Sequence, residues 1–540
     1  MAHKKVLFQS AAREKILRGA TQLADAVRIT LGPRSKSVLI ERKWGAPIVC
    51  NDGVTIAKEF DLPDPEENLG ARMLRQAAEK TGEMVGDGTS TSTVLAQAIL
   101  TEGLKNVVAG ASAIEIKRGL DRAGTASFKA LRDMSRPVKT RREKEQVATI
   151  SAHNDTFIGE LVGAAMEKVG NEGVITVEEA RTTDTVLDVV EGMRFDRGYL
   201  SPYFVTNADR METILEDVSI LLVDRKISVV DELVGLLEAV AKSGSPLLVV
   251  AEDVERDALA TLIVNQIRGT FRSCAVKAPG FGDRRKMMLQ DIAVLVGAQV
   301  ITEDLGLKLE NVTLAELGHA RRVVIDKETT TIIGGRGESA AIRGRIDQIR
   351  HEIDKSTSEY DREKLQERLA KLSGGVAVIR VGAPTESEMK SRKEALDDAI
   401  NATKAAIAEG IVPGGGMALL KCIAAVEKEE GDCEGDERTG VQILRRALEA
   451  PSRQIAENSA VDGGVVVARM LETGGNTGFD ASKKAYVDLM EHGIIDPTKV
   501  VRIALENAIS VAGILLLTEA TMTELPEQAK EHNPGNDMLL

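Results

Sequence analysis

The chain has 540 residues, and its 70 Lys and Arg stand against 83 Asp and Glu for a formal charge of −13. That length exceeds one hydrophobic core and predicts several domains. The acidic balance argues against a general nucleic-acid binder, which needs a basic face. No apolar run reaches membrane-spanning length, and no apolar stretch follows Lys4 and Lys5 as a secretory signal requires. Cys50, Cys274, Cys422 and Cys433 lack CxxC spacing and read as reduced thiols of a cytoplasmic protein.

In chain order, the first predicted element is a helix with an apolar face of Ile16, Ala20, Leu23 and Val27, ending at Thr30-Leu31-Gly32-Pro33. Ser37–Glu41 and Ala46–Cys50 alternate in character and predict a hairpin whose edge is open to a neighbour. The string Gly86-Asp87-Gly88-Thr89-Ser90-Thr91 then puts one carboxylate between two glycines, with three hydroxyls opening an apolar helix. Glycines admit an anion close to the backbone, a helix N-terminus offers unpaired N–H groups, and the acid can hold Mg²⁺. An Asp-Gly turn with a Thr/Ser helix cap accounts for the same string.

The middle of the chain alternates short apolar runs with helices: strand 219–223, helix 231–242, strand 247–250, helix 254–267, strand 274–276, helix 284–296 and strand 300–301. This pattern predicts an α/β domain with parallel strands. A long amphipathic helical segment is expected over 338–371, closed by Gly374-Gly375. The two central helices, 231–242 and 254–267, are apolar over more than one stripe, which suits either burial on both sides or an exposed apolar face. Further on, Gly410-Ile411-Val412-Pro413-Gly414-Gly415-Gly416 follows a helix carrying Asp397 and Asp398 and precedes apolar Met417–Leu420. The three glycine-bearing clusters meet only if both ends of the chain fold together around an inserted middle. No GxxxxGK[ST] string of a P-loop enzyme occurs.

These clusters, together with Phe195–Phe204, Ala278–Lys286 and Tyr360–Arg368, resemble the group I chaperonins, the GroEL family, from about Val6 to Leu525. The resemblance implies a multidomain α+β/α fold: a helical equatorial ATP-binding domain from 1–135 and 410–525, a small intermediate domain from 136–191 and 376–409, and an α/β apical domain over 192–375. The polar stretch 526–540 is expected to be a disordered tail, and it lacks the Gly-Met repeats common at this end of the family.

The resemblance also implies roles. Asp398 stands for the water-positioning carboxylate, a choice that spacing alone leaves open against Asp397, and Asp52 for a second catalytic acid. Asp87 is the expected Mg²⁺ ligand. Thr30, Leu31, Gly32, Pro33, Gly88, Thr89, Ser90, Thr91 and Gly415 are expected around the phosphates of ATP, Asp480 and Ala481 near the base, and Asp496 near the ribose. The main-chain carbonyl of Asn51 is expected with Thr30 and Ser90 around K⁺. Tyr199, Tyr203, Phe204, Val234, Leu237, Leu259, Ile263 and Val264 are expected to line a groove for non-native proteins and for a GroES-type lid.

Two stacked seven-membered rings are the implied assembly. Asn51 replaces a family lysine, Asp480 an asparagine, Ala408 an acidic residue, Ser35 a glycine and Ser90 a threonine. The expected function is an ATP-driven chaperone that captures, encloses and releases unfolded chains, with partners that include neither nucleic acid nor membrane. The alternative is a paralogue that has lost cycling and serves as a binding scaffold.

Overall fold

The computed structural model describes residues 4–41, 47–170, 173–180, 182–208, 210–302, 308–356 and 358–524. The chain divides into two compact units, one built from Met1–Gly163 with Pro384–Leu540 and the other from Ala164–Ala383. The hairpin connection at 42–46 and the tail 526–540, with their expected features, lie outside the described residues.

The first unit is helical, and its core rests on aliphatic side chains and alanine, in a chain with only 3% aromatic residues. The helix Gln9–Arg28 buries Ala12, Ile16, Ala20, Leu23 and Val27, the stripe its periodicity predicts. It packs on the helix Pro65–Val85, which starts sharply because Asp64 accepts hydrogen bonds from the N–H groups of Glu66 and Glu67, both at 3.0 Å. The helix Arg141–Ser151 opens on a reciprocal capping box between Thr140 and Glu143.

Segments separated in sequence are joined by short antiparallel ladders. Lys4–Phe8 pairs with Ala520–Glu524, and Ile411–Pro413 with Ile495–Pro497. Val38–Ile40 pairs with Ile48–Cys50, the two arms of the expected hairpin. All four cysteines are buried and free. Among the described residues no helix is long and apolar enough to cross a membrane.

The second unit holds a seven-stranded sheet. Val300–Ile301, Thr213–Ile227, Leu247–Val254 and Ser273–Lys277 lie side by side and parallel, with helices Asp231–Ser243, Arg256–Arg268 and Asp283–Val296 in the crossovers. The expectation of a parallel sheet holds for those four strands only. The first half of Thr213–Ile227 pairs antiparallel with Gly318–Ile325, which pairs with Thr330–Gly335 and that in turn with Gly192–Phe195.

The reason is local. Asp326 Oδ1 accepts from the N–H groups of Glu328 and Thr329 at 2.6 and 2.7 Å, closing a tight turn that needs no crossover helix. The helical segment expected over 338–371 is present as two helices. Ser339–Lys355 and Glu359–Ser373 are separate helices packed on one another, and the second opens on Ser358, whose Oγ accepts from Asp361 N at 3.2 Å. A smaller sheet, with Val376–Val381 between Val174–Glu179 and Val186–Val190, completes the unit.

Candidate functional site

In the first unit the helix Pro65–Val85 ends at Gly86 and the helix Thr89–Val108 begins at Gly88, with φ of 71° and 81°. Both values lie in the left-handed region that side chains resist, so the three-residue connection depends on glycine on either side of Asp87. Gly88 has no side chain to cap the helix, and the N–H groups of Thr89, Ser90 and Thr91 face outward at its start. Asp87 Oδ1 accepts from Gly88 N at 2.5 Å, and Oδ2 accepts from Ser151 Oγ at 2.7 Å.

A Cβ at Gly86 would lie 2.4 Å from Asn401 Nδ2, so the helix Glu386–Glu409 runs hard against this turn. Asp398 sits about one turn before Asn401 on that helix. Asp52 caps the short helix Gly53–Glu59, accepting from Val54 N at 3.2 Å and Thr55 N at 2.9 Å. A Cβ at Gly53 would fall 2.4 Å from Ser90 Oγ, which places the Asp52 turn on the hydroxyl string. Thr30 Oγ1 lies 2.8 Å from Ser90 Oγ and donates to Val27 O at 2.8 Å.

These approaches gather several carboxylates into one place. Burial holds Asp398 well above the usual carboxylate range, and the charges of Asp87, Asp52, Asp397 and Glu394 add to it. Burial also raises Asp87, against the hydrogen bonds from Ser151 and Gly88. Asp496 is pushed up to about 7 by burial and then by the charge of Asp87. Among the described residues, no side chain hydrogen-bonds or ion-pairs with the carboxylates of Asp398 and Asp496. Gathered acids that repel one another have a standing affinity for a cation. Among the described residues no three His, Cys, Asp or Glu side chains converge on one metal position. The oxygen donors present are of the kind a hard divalent cation takes, with the rest of its shell supplied from outside the protein.

The glycine cluster borders the same carboxylates. Val412 faces Asp496 across the two-stranded ladder, and Gly414 N donates to Ile494 O at 2.9 Å. Ser452 Oγ donates to Gly415 O at 3.0 Å, and Gly416, with φ of 79°, starts the helix Met417–Gly431 without a side-chain cap. Asp480 is buried at the end of strand Thr477–Asp480. Its Oδ1 accepts from Ser482 N at 2.9 Å and Lys483 N at 3.2 Å, and Ala481 is buried beside it. A Cβ at Gly415 would lie 3.8 Å from Phe479 O, so the 477–483 turn adjoins the glycines. Asn51 is half-buried, next to the Asp52 turn.

The second unit distributes its expected groove residues unevenly. Tyr203, Val234 and Val264 are exposed, joined by Ile267 at 63% exposure. Tyr199, Leu259 and Ile263 are half-buried against the core, whereas Leu237 is buried and Phe204 has 0% exposure. The exposed members lie on or beside Asp231–Ser243 and Arg256–Arg268, and Phe204 and Leu237 form part of the support beneath them.

Ser151, Ser452 and Asn401 are contact residues that motif reading does not single out. Each lies far in sequence from its partner and carries no local signal of its own. A model of the TCP-1/cpn60 chaperonin family matches residues 23–526. Chaperonin GroEL 5 of Bradyrhizobium diazoefficiens is 72% identical over 540 residues, covering 100% of both chains.

Proposed function

The chain belongs to the TCP-1/cpn60 chaperonin family, and from that premise we propose a reading of how its own residues perform a chaperonin's work. It is a nucleotide-using chaperonin ATPase that acts on client proteins as a ring oligomer. The nucleotide is ATP, and Asp87 would hold a Mg²⁺, which would supply charge neutralisation at the phosphates. The N–H groups at the starts of helices Thr89–Val108 and Met417–Gly431 receive phosphate oxygens. The Thr30 and Ser90 hydroxyls with the Asn51 carbonyl would hold K⁺.

Asp398 orients the attacking water, with Asp52 beside it as a second acid. Asp480 and Ala481 lie along the base, and Asp496 along the ribose. The single observation that carries this reading is the gathering of the half-buried carboxylates Asp87, Asp398 and Asp496, each raised by desolvation and by the charge of a neighbouring carboxylate. Carboxylates kept in that state disfavour the empty site and favour one holding a cation.

Tyr203, Val234, Val264 and their neighbours take up apolar segments of non-native protein, since unfolded chains expose what folded ones bury. A GroES-type lid competes for the same face. The rings are two stacked heptamers in the cytoplasm, and the three-domain division follows the boundaries given above. The scaffold alternative is not favoured, because Asp87, Asp398 and the glycine cluster are all retained.

The test is ATP turnover with and without a GroES-type lid, beside refolding of a stringent client. ATP-dependent refolding that needs the lid supports the reading. Client binding with no nucleotide turnover contradicts it.

A further inference from the structure

We propose that Arg34 is the clasp of the nucleotide pocket, a positioning residue that sets how fast nucleotide leaves; this rests on the site reading above. The loop carrying Thr30–Pro33 is a closed unit, with Lys36 N donating to Ile29 O at 2.9 Å and Ser35 N to Gly32 O at 3.2 Å. Its inner end is braced by Asn458, whose Nδ2 donates to Arg28 O at 2.9 Å and Leu31 O at 2.8 Å. Asn458 is itself fixed, because its Oδ1 accepts from Gln454 Nε2 at 2.9 Å.

The outer end of the loop is held by one side chain. Arg34 Nη2 donates to Ser482 O at 2.8 Å, across 448 residues of sequence. The Ser482 carbonyl is in turn positioned, since Ser482 N donates to Asp480 Oδ1 at 2.9 Å. One guanidinium therefore ties the loop at Thr30–Pro33 to the turn at Asp480–Ser482. A nucleotide whose phosphates lie at the loop and whose base lies at the turn spans both pieces, and Arg34 fixes the gap between them. Arg34 is exposed and buries nothing in the core, so its removal loosens that gap without removing packing.

The experiment uses the full-length protein with a fluorescent ADP probe. Probe release is followed by rapid mixing with excess ATP, and hydrolysis is followed in a single turnover. Arg34→Ala is expected to release the probe about fivefold faster, as befits one charged hydrogen bond at an exposed position, with the hydrolysis step unchanged. Arg34→Lys, which keeps a donor within reach of Ser482 O, is expected to restore most of the slow release.

Asp87→Ala separates the two levels of the claim. If that variant binds the probe as the wild type does, the site reading fails and the clasp with it. If Asp87→Ala weakens binding while Arg34→Ala releases at the wild-type rate, the clasp alone is overturned. Slower hydrolysis with unchanged release in Arg34→Ala overturns it as well.

Discussion

The two units of this chain solve opposite problems with the same kind of amino acids. The helical unit gathers charge: Asp87, Asp398 and Asp496 are half-buried close enough for their carboxylates to be costly to ionise. The central unit exposes apolar surface: Tyr203, Val234, Val264 and Ile267 stand in solvent above a well-packed sheet. Each departure from ordinary burial has a cost in stability, and under the proposed function each is relieved by its ligand, a cation with phosphates in one case and an unfolded chain in the other. Function is concentrated where the polarity of a position and its burial disagree.

The largest effects should come from breaking the charged side. Asp87→Ala removes the one carboxylate held ready by both Ser151 and Gly88, and is expected to abolish Mg²⁺-dependent nucleotide binding or turnover. Calorimetric titration of nucleotide with and without Mg²⁺ reads this directly, and undiminished Mg²⁺-dependent affinity would show that the metal is held elsewhere. On the apolar side, Phe204 and Tyr203 sharpen the difference between support and surface. Phe204→Ala should cost about 3–5 kcal/mol of stability by opening a cavity, whereas Tyr203→Ala should cost far less. Denaturant midpoints of the two variants check the ordering.

A pH scan tests the gathered acids as a group. Their folded pKa values are raised, so the folded state binds more protons than the unfolded one between the ordinary carboxylate range and the raised value. Stability of the nucleotide-free protein is therefore expected to fall as pH rises through that window. For Asp496 the window ends at about 7, and Asp496→Asn should remove at most about 4 kcal/mol of the pH-dependent loss. Thermal midpoints from pH 5 to 8 should flatten in that variant, and also in wild type with Mg²⁺ and nucleotide. A wild-type midpoint that rises over this range for these groups would contradict the assignment.

The smallest effect concerns Asn51. Its K⁺ contact is assigned to a backbone oxygen, so Asn51→Lys should leave K⁺ stimulation unchanged. The added ammonium should tighten ATP by less than about tenfold, since a charge in high dielectric contributes about 1 kcal/mol. ATPase rates against ATP and K⁺ concentration measure both. Wild type that ignores K⁺, with the response restored by Asn51→Lys, would make the side chain essential.

Sequence legibility followed the same divide between local and distant information. The helix Gln9–Arg28 and the crossover helices of the central sheet were legible because their burial repeats at the helical period. The glycines of the Gly86–Thr91 string were legible as a tight connection before a helix, and the structure places Gly86 and Gly88 at left-handed positions there. The choice between Asp397 and Asp398 was not legible from spacing, and the family resemblance alone makes it.

The antiparallel half of the sheet was missed because its turn at Asp326–Thr329 is a local feature outside the repeating strand–helix pattern. Tyr203 and Phe204 show the limit most plainly. They are neighbours in one short 3₁₀ turn, at 67% and 0% exposure, and so short an element has no period from which to read a face. The bonds from Ser151 to Asp87 and from Ser452 to Gly415 exist only once distant segments have folded together.

The most direct test of the account is a crossed measurement on two variants, Asp398→Ala and Val264→Ser. Single-turnover ATP hydrolysis and capture of an unfolded client are measured on both. Asp398→Ala should slow hydrolysis by about two to four orders of magnitude while still binding ATP and capturing client. Val264→Ser should capture less client while hydrolysing ATP at the wild-type rate without client. If Asp398→Ala hydrolyses normally, or if Val264→Ser captures client as well as the wild type, the division of chemistry from capture is wrong.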